Sequence, residues 1–198
     1  MAVYSLVAIR AALGVVFALA ATSKIRPGGL APFRAALGAL VPATRAAAPL
    51  AVLVIATECA VVTLLAWPSP SATAAGLALA ACALVAFTTA IATALRHGKT
   101  APCRCFGASA RPLSHTQLGR NSLLLALAGT GLAVWPSASN KAGGSAGMWI
   151  ALATGVLLGA ALTAFDDLTE LFTTPTPVRQ PPTGTTASHQ PTKQGLRP

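Results

Sequence analysis

The sequence predicts an all-α protein, a polytopic bundle of transmembrane helices with a disordered C-terminal tail. Its composition is the first reason: 54% of the 198 residues are hydrophobic, 9% are charged and the mean hydropathy is +0.66, outside the range of soluble domains. The second is a series of five apolar segments, each about as long as the roughly 20 residues that a membrane helix needs. The third is the region 173–198, rich in Pro, Thr and Gln, which cannot bury enough apolar surface to fold.

The five apolar segments are the predicted spans, and they run Tyr4–Thr22, Pro49–Trp67, Ala72–Leu95, Leu118–Trp135 and Met148–Phe165. The breaker "PSPS" between the second and third spans predicts a tight turn and an antiparallel pair of helices. The fourth span is the least apolar, because Arg120 and Asn121 lie in its first turn. We expect a four-helix membrane domain over 1–135, an additional transmembrane helix within 136–172 and a disordered tail over 173–198.

Basic residues are distributed unequally between the two sides of the predicted bundle. Nine lie between the first and second spans or between the third and fourth, against Lys141 alone on the other side; the nine are Lys24, Arg26, Arg34, Arg45, Arg96, Lys99, Arg104, Arg111 and Arg120. The positive-inside rule therefore predicts cytoplasmic basic loops and C-terminus, and an N-terminus outside. The net charge of +10 is then explained by contact with lipid headgroups, and we expect no binding to nucleic acid.

Two ionisable residues lie within predicted spans. Glu58 is at the centre of the second span, where a charged carboxylate needs a partner or must be protonated. Arg10, a few ångströms from the middle of the first span, is the partner that we expect. The alternative is that Arg10 extends to the outer headgroups while a neutral Glu58 donates a hydrogen bond to a helix carbonyl.

Two of the four cysteines, Cys59 and Cys82, lie at nearly the same depth on the second and third spans. Free cysteine behaves as a small apolar residue, so helix packing explains both of them. The alternative is a disulfide or redox relay across the helix pair, which depends on the directions in which the two side chains point.

The other two cysteines, Cys103 and Cys105, lie in the loop stretch "PCRCFG" with Arg104 between them. Nearby positive charge favours the thiolate, which is the nucleophile in disulfide exchange. A disulfide between cysteines one residue apart closes a small, strained ring that is readily reduced. We therefore expect Cys103 and Cys105 to exchange disulfides and Arg104 to hold the thiolate form, against the alternative of two unconnected thiols.

Three further functions fit parts of the sequence. His97, Cys103, Cys105 and His115 have the chemistry of zinc ligands, but their spacing lacks the usual zinc knuckle, so we expect no metal. Arg10 and Glu58 would suit a bundle that binds a small solute or a quinone. The basic loops would suit a non-catalytic scaffold that holds a redox enzyme at the membrane.

Four stretches in order carry a family resemblance: "LGVVFALAATSKIRP", "ATECAVVTLLAW", "PCRCFG" and "GRNSLLLALA". Together they resemble the MauE family of methylamine utilisation, within a broader group of DoxX-like redox-associated membrane proteins. The resemblance covers roughly Tyr4 to Trp135. Its most specific element is the Cys-x-Cys-Phe-Gly loop, and the supporting positions are Arg10, Lys24, Glu58, Arg120 and Asn121.

This resemblance implies a function that the residues alone do not give. It implies a multi-span protein of the bacterial plasma membrane that helps an exported redox enzyme, methylamine dehydrogenase, to mature. It also implies a thioredoxin-like protein as partner. An outward-facing role and a cytoplasmic Cys-x-Cys loop are compatible if electrons cross the bundle, or if the orientation is the reverse of the one predicted.

Overall fold

The computed structural model describes residues 1–40, 47–97, 102–103, 111–112, 115–138 and 143–172. These residues form six helices and one short strand pair: α1 Ala2–Ile25, α2 Leu30–Leu40, α3 Ala47–Ala66, α4 Pro70–Arg96, β1 Pro102–Cys103, β2 Arg111–Pro112, α5 His115–Ala138 and α6 Ser145–Phe172. The predicted all-α fold is therefore confirmed. The predicted tail lies outside the described residues.

Helix α1 lies at the centre of the bundle, in contact with α3, α5 and α6. Its neighbours α3 and α5 run antiparallel to it, and α6 runs parallel to it. The core between these helices is apolar, and its fully buried side chains include Leu13, Phe17, Leu77, Leu84 and Leu124. The "PSPS" stretch forms the predicted turn, with Ser69 Oγ accepting a hydrogen bond from the Ala72 amide at 3.1 Å and Pro70 in the first turn of α4.

Four helices among the described residues are long and apolar enough to cross a membrane: α1, α3, α4 and residues 145–164 of α6. Helix α5, which we predicted as a span, is not among them, although it is 24 residues long. It nevertheless packs along the length of α4. At one end Leu118 packs near Ile91, and at the other the Trp135 indole donates to the Pro70 carbonyl at 2.9 Å. Contacts with α4 and α1 therefore hold α5 in the bundle, although α5 alone is a weaker candidate for a membrane span than the other long helices.

Close contact between α1 and α6 depends on small residues. Gly147, Ala151, Gly155 and Gly159 recur every fourth residue and form one stripe along α6. A side chain at Gly155 would overlap the Ala8 carbonyl oxygen of α1, and at Gly159 a Cβ would lie 2.6 Å from the Ala12 carbonyl oxygen. Small residues at this spacing allow two membrane helices to approach backbone to backbone.

The connection between α1 and α3 contains a helix that the sequence analysis did not predict. Gly28, with a φ of +82°, makes the turn after α1, and α2 begins at Leu30. Phe33 and Ala36 on α2 are buried. At this end of the bundle the β1–β2 pair joins α4 to α5, and β1 lies against α2.

Candidate functional site

A buried ion pair joins α1 to α3. The Lys24 ammonium lies 2.7 Å from Glu58 Oε1, and the two side chains are 2% and 1% exposed. The same ammonium donates to the Ala20 carbonyl at 3.0 Å and lies 5.1 Å from the centre of the Phe33 ring of α2. A carboxylate, a helix carbonyl and an aromatic face thus surround one cation, and the pair ties three helices together.

The predicted pairing of Arg10 with Glu58 is wrong. Arg10 instead donates from Nε and Nη2 to the Leu65 carbonyl, at 2.9 and 2.6 Å, and from Nη2 to the Trp67 carbonyl at 2.9 Å. These carbonyls end α3 and have no acceptor role within that helix, so Arg10 caps its C-terminus. The alternative, in which Arg10 reaches the headgroups and Glu58 bonds to a helix carbonyl, also differs from the observed contacts.

Side-chain direction explains the correct pairing. Helical side chains tilt towards the N-terminus of their own helix. Because α1 and α3 are antiparallel, Lys24 and Glu58 tilt towards each other and close an offset of about 10 Å between their backbone levels. Arg10, on the same helix as Lys24, also tilts towards the N-terminus of α1, which carries it away from Glu58 and towards the C-terminal end of α3. The sequence alone places Lys24 in a cytoplasmic loop, although its position near the C-terminal end of a helix antiparallel to α3 indicates that it can reach Glu58.

Arg120 and Asn121, in the first turns of α5, are buried at the same end of the bundle. A Cβ at Gly131 would lie 3.1 Å from Ile9 Cγ2, so Gly131 of α5 and Ile9 of α1 are at one level of the bundle. Asn121 lies about 15 Å from that contact along α5, and the Lys24 ammonium, which reaches back one turn, lies at a similar depth along α1. The polar residues of three helices therefore occupy one level.

Several buried polar atoms at this level have no hydrogen-bond partner within the described part of the chain. They are Oε2 of Glu58 and both side-chain amide atoms of Asn121, a residue with no exposed surface. Buried polar groups normally have hydrogen-bond partners, so these unpartnered atoms mark the level as a candidate functional site. We call Lys24, Glu58, Arg120 and Asn121 the polar cluster.

Cys103, the described member of the Cys-x-Cys pair, lies at the end of the bundle that holds the polar cluster. The backbone of Cys103 is in β1, paired with Arg111 in β2, while Arg104 and Cys105 lie outside the described residues. Their predicted roles in exchange therefore stay predictions. The zinc set stays untested for the same reason, since Cys105 is a member of it.

Cys59 and Cys82 are both free thiols, and both are exposed on the outside of the bundle. Neither thiol belongs to the polar cluster. No disulfide joins them in the structure, and a relay through them stays a prediction.

Burial also revises the charges that predict orientation. Lys24 and Arg120 are inside the bundle, so they do not count as loop charges. Seven basic residues then remain on the predicted cytoplasmic side, against Lys141 alone on the other side, so the positive-inside rule still predicts the same orientation. The predicted sidedness remains a prediction.

These features define a class: a polytopic membrane helix bundle with a buried polar cluster under a cysteine-bearing hairpin. The sequence model of a family described as methylamine utilisation protein MauE matches residues 2–134. The chain therefore belongs to the MauE family, and the match includes the whole polar cluster and the Cys-x-Cys loop. No curated protein and no solved structure matches the chain.

Proposed function

We propose that this MauE family protein is a membrane thiol–disulfide exchange protein whose reactive pair is Cys103 and Cys105. The observation that carries the proposal is the backbone pairing of Cys103 in β1 with Arg111 in β2, which places the first cysteine of the pair in a strand pair at the end of the bundle. Positive charge near a thiol favours the thiolate, and Arg104 in the sequence adds to that charge.

The exchange would proceed in two steps. One loop thiolate attacks a disulfide of the partner, a mixed disulfide forms, and the displaced partner sulfur takes up a proton. The second loop cysteine then loses its proton and attacks the mixed disulfide, so the partner leaves as a dithiol and Cys103 and Cys105 become a disulfide. Two electrons pass from the loop to the partner, and a second dithiol protein restores the loop.

The partner that we propose is a thioredoxin-like protein, and the client is an exported redox enzyme of the methylamine dehydrogenase kind. Family membership supports both assignments. The basic residues of the loop region would also keep it close to anionic headgroups, which confines the exchange to the membrane surface.

Trapping the mixed disulfide tests this function. In Cys105→Ala, we expect a disulfide between Cys103 and a thioredoxin-like protein to accumulate after acid quenching, because the resolving thiol is absent. In Cys103→Ser/Cys105→Ser we expect no adduct and no maturation of the client. Normal client maturation in the double variant would overturn the proposal and favour a non-catalytic scaffold.

The variant Cys59→Ser/Cys82→Ser is the matched control, since it removes the same number of thiols from the exposed helix faces. We expect it to mature the client as the wild type does and, when combined with Cys105→Ala, to accumulate the adduct as Cys105→Ala alone does. A membrane-impermeant maleimide, applied to this variant in right-side-out and inverted vesicles, then reports the side of the loop alone. If the loop is labelled in inverted vesicles only and client maturation is lost in this variant, electrons cross the bundle through these thiols.

A further inference from the structure

A cavity of about 720 Å³ opens between α1, α3 and the start of α6, at the end of the bundle away from the polar cluster. This volume is within the range of small-molecule sites. Its wall is apolar and includes Val7, Gly14, Val62, Trp149 and Leu152, and Arg10 carries the only charge among the described lining residues. We call this cavity the Arg10 groove.

Arg10 uses only part of its hydrogen-bonding capacity. Its three hydrogen bonds within the described part of the chain involve Nε and Nη2, with the Leu65 and Trp67 carbonyls as acceptors. A guanidinium has five N–H donors, so the two on Nη1 remain available. The cap on α3 therefore holds the guanidinium plane in place and leaves one edge of it for another acceptor.

The acidic positions of the sequence lie away from Arg10 along the helices. Its four acidic residues are Glu58, Asp166, Asp167 and Glu170. Glu58 is paired with Lys24, and its position on α3 is about 10 Å along the helix from Leu65, whose carbonyl Arg10 binds. The remaining three are in the last turns of α6, about 25 Å along that helix from Trp149 at the groove. Among the described contacts, Arg10 has carbonyl partners and no carboxylate partner, so its charge is open to a counterion from outside the chain.

We propose that the Arg10 groove binds one anionic phospholipid, with its phosphate on Nη1 of Arg10 and an acyl chain against α1 between α3 and α6. The two N–H groups of Nη1 can donate charge-assisted hydrogen bonds to a phosphate, and a guanidinium that is already fixed by its carbonyl partners loses little freedom in doing so. The apolar wall supplies the surface that an acyl chain needs, and Gly14 leaves open space there, with no atom within 4 Å of the position that its Cβ would occupy. A quinone would fill the same wall but brings no negative charge.

Thermal unfolding of the delipidated protein in a neutral detergent tests the site with three probes: dioleoyl phosphatidylglycerol, dioleoyl phosphatidylcholine and decylubiquinone. We expect phosphatidylglycerol near saturation to raise the unfolding midpoint by about 5 °C, and the other two to raise it by less than about 1 °C. Equal shifts with the two phospholipids, or a shift with decylubiquinone alone, would overturn the proposal.

Two variants locate the effect. Arg10→Gln removes the charge, and Gly14→Leu fills the groove while leaving Arg10 and its carbonyl partners unchanged, so the second variant carries the test if the first does not fold. We expect the shift with phosphatidylglycerol to be lost in both. Arg96→Gln, which changes an exposed cation outside the groove, should keep it. A full shift in Gly14→Leu would show that the lipid binds elsewhere and would overturn the assignment.

Discussion

The two ends of α1 each carry one cation within the bundle, and they satisfy it in different ways. At the Lys24 end the partner is a carboxylate of the same chain, and both side chains are buried. At the Arg10 end the partners are backbone carbonyls of α3, and the guanidinium is only partly buried. Glu58 lies within reach of Lys24 and not of Arg10, and this explains why only one of the two cations has a carboxylate partner.

This contrast separates a structural role from a binding role. A cation that meets an internal carboxylate can be buried with its charge neutralised, and it then fixes the packing of the helices around it. A cation that meets only carbonyl dipoles keeps its net charge and some of its donors. The Lys24 end is therefore expected to dominate stability, and the Arg10 end is expected to respond to what surrounds the protein.

The largest effect should come from Lys24→Met, which leaves Glu58 buried without its ammonium partner. We expect the free energy of unfolding in mixed micelles to fall by about 3–5 kcal/mol, because removal of one member of a buried pair exposes the full cost of burying the other. Lys24→Met/Glu58→Leu should recover most of this loss. Arg26→Met, which changes an exposed cation two residues away, is the control and should change stability by less than about 0.5 kcal/mol. If Lys24→Met lowered the free energy of unfolding no more than that control, the Lys24–Glu58 pair would not stabilise the Lys24 end of the bundle.

The next largest effect should come from Gly155→Leu, because α6 holds α1 in the position that both ends require. The new side chain would overlap the Ala8 carbonyl oxygen, so α6 must move away from α1. We expect a loss of about 1–3 kcal/mol or more in the same titration. Gly129→Leu on α5 is the matched control, since no atom lies within 4 Å of its Cβ position. Equal behaviour of the two variants would contradict the close packing of α1 on α6.

Arg10→Gln should lower the free energy of unfolding less than Lys24→Met, because the partners of Arg10 are backbone carbonyls and its removal leaves no buried charge without a partner. It removes charged hydrogen bonds to the Leu65 and Trp67 carbonyls at the end of α3, for which we expect about 1.5–3 kcal/mol. Arg34→Gln, at an exposed position of α2, serves as control.

The combination of Arg10→Gln with Lys24→Met sharpens the contrast further. The two residues lie about 21 Å apart along α1 and share no partner, so their effects should add to within about 0.5 kcal/mol. A larger coupling energy would mean that the two ends do not act separately.

The fold could be predicted from the sequence more fully than the site. Apolar segments of membrane length mark α1, α3, α4 and α6, and "PSPS" marks one turn, because these features depend on local chemistry. Helix α2 was missed since its buried residues, Phe33 and Ala36, are too few to form a clear apolar period. The partner of Glu58 was assigned by depth alone, whereas side-chain tilt, which requires the helix directions, selects Lys24 over Arg10.

The smallest effect belongs to Trp135→Phe, at the Arg10 end. The indole of Trp135 donates to the Pro70 carbonyl at 2.9 Å and so joins the end of α5 to the start of α4. Its loss should cost about 0.5–1.5 kcal/mol, and Trp67→Phe, with an exposed ring, should cost less. Pro70 follows the turn whose Trp67 carbonyl Arg10 caps, so either substitution already loosens the same turn. Trp135→Phe combined with Arg10→Gln should therefore lose less than the two effects added, while combined with Lys24→Met it should simply add. Simple addition in both pairs would show that the contacts at the Arg10 end act one by one and do not form a unit.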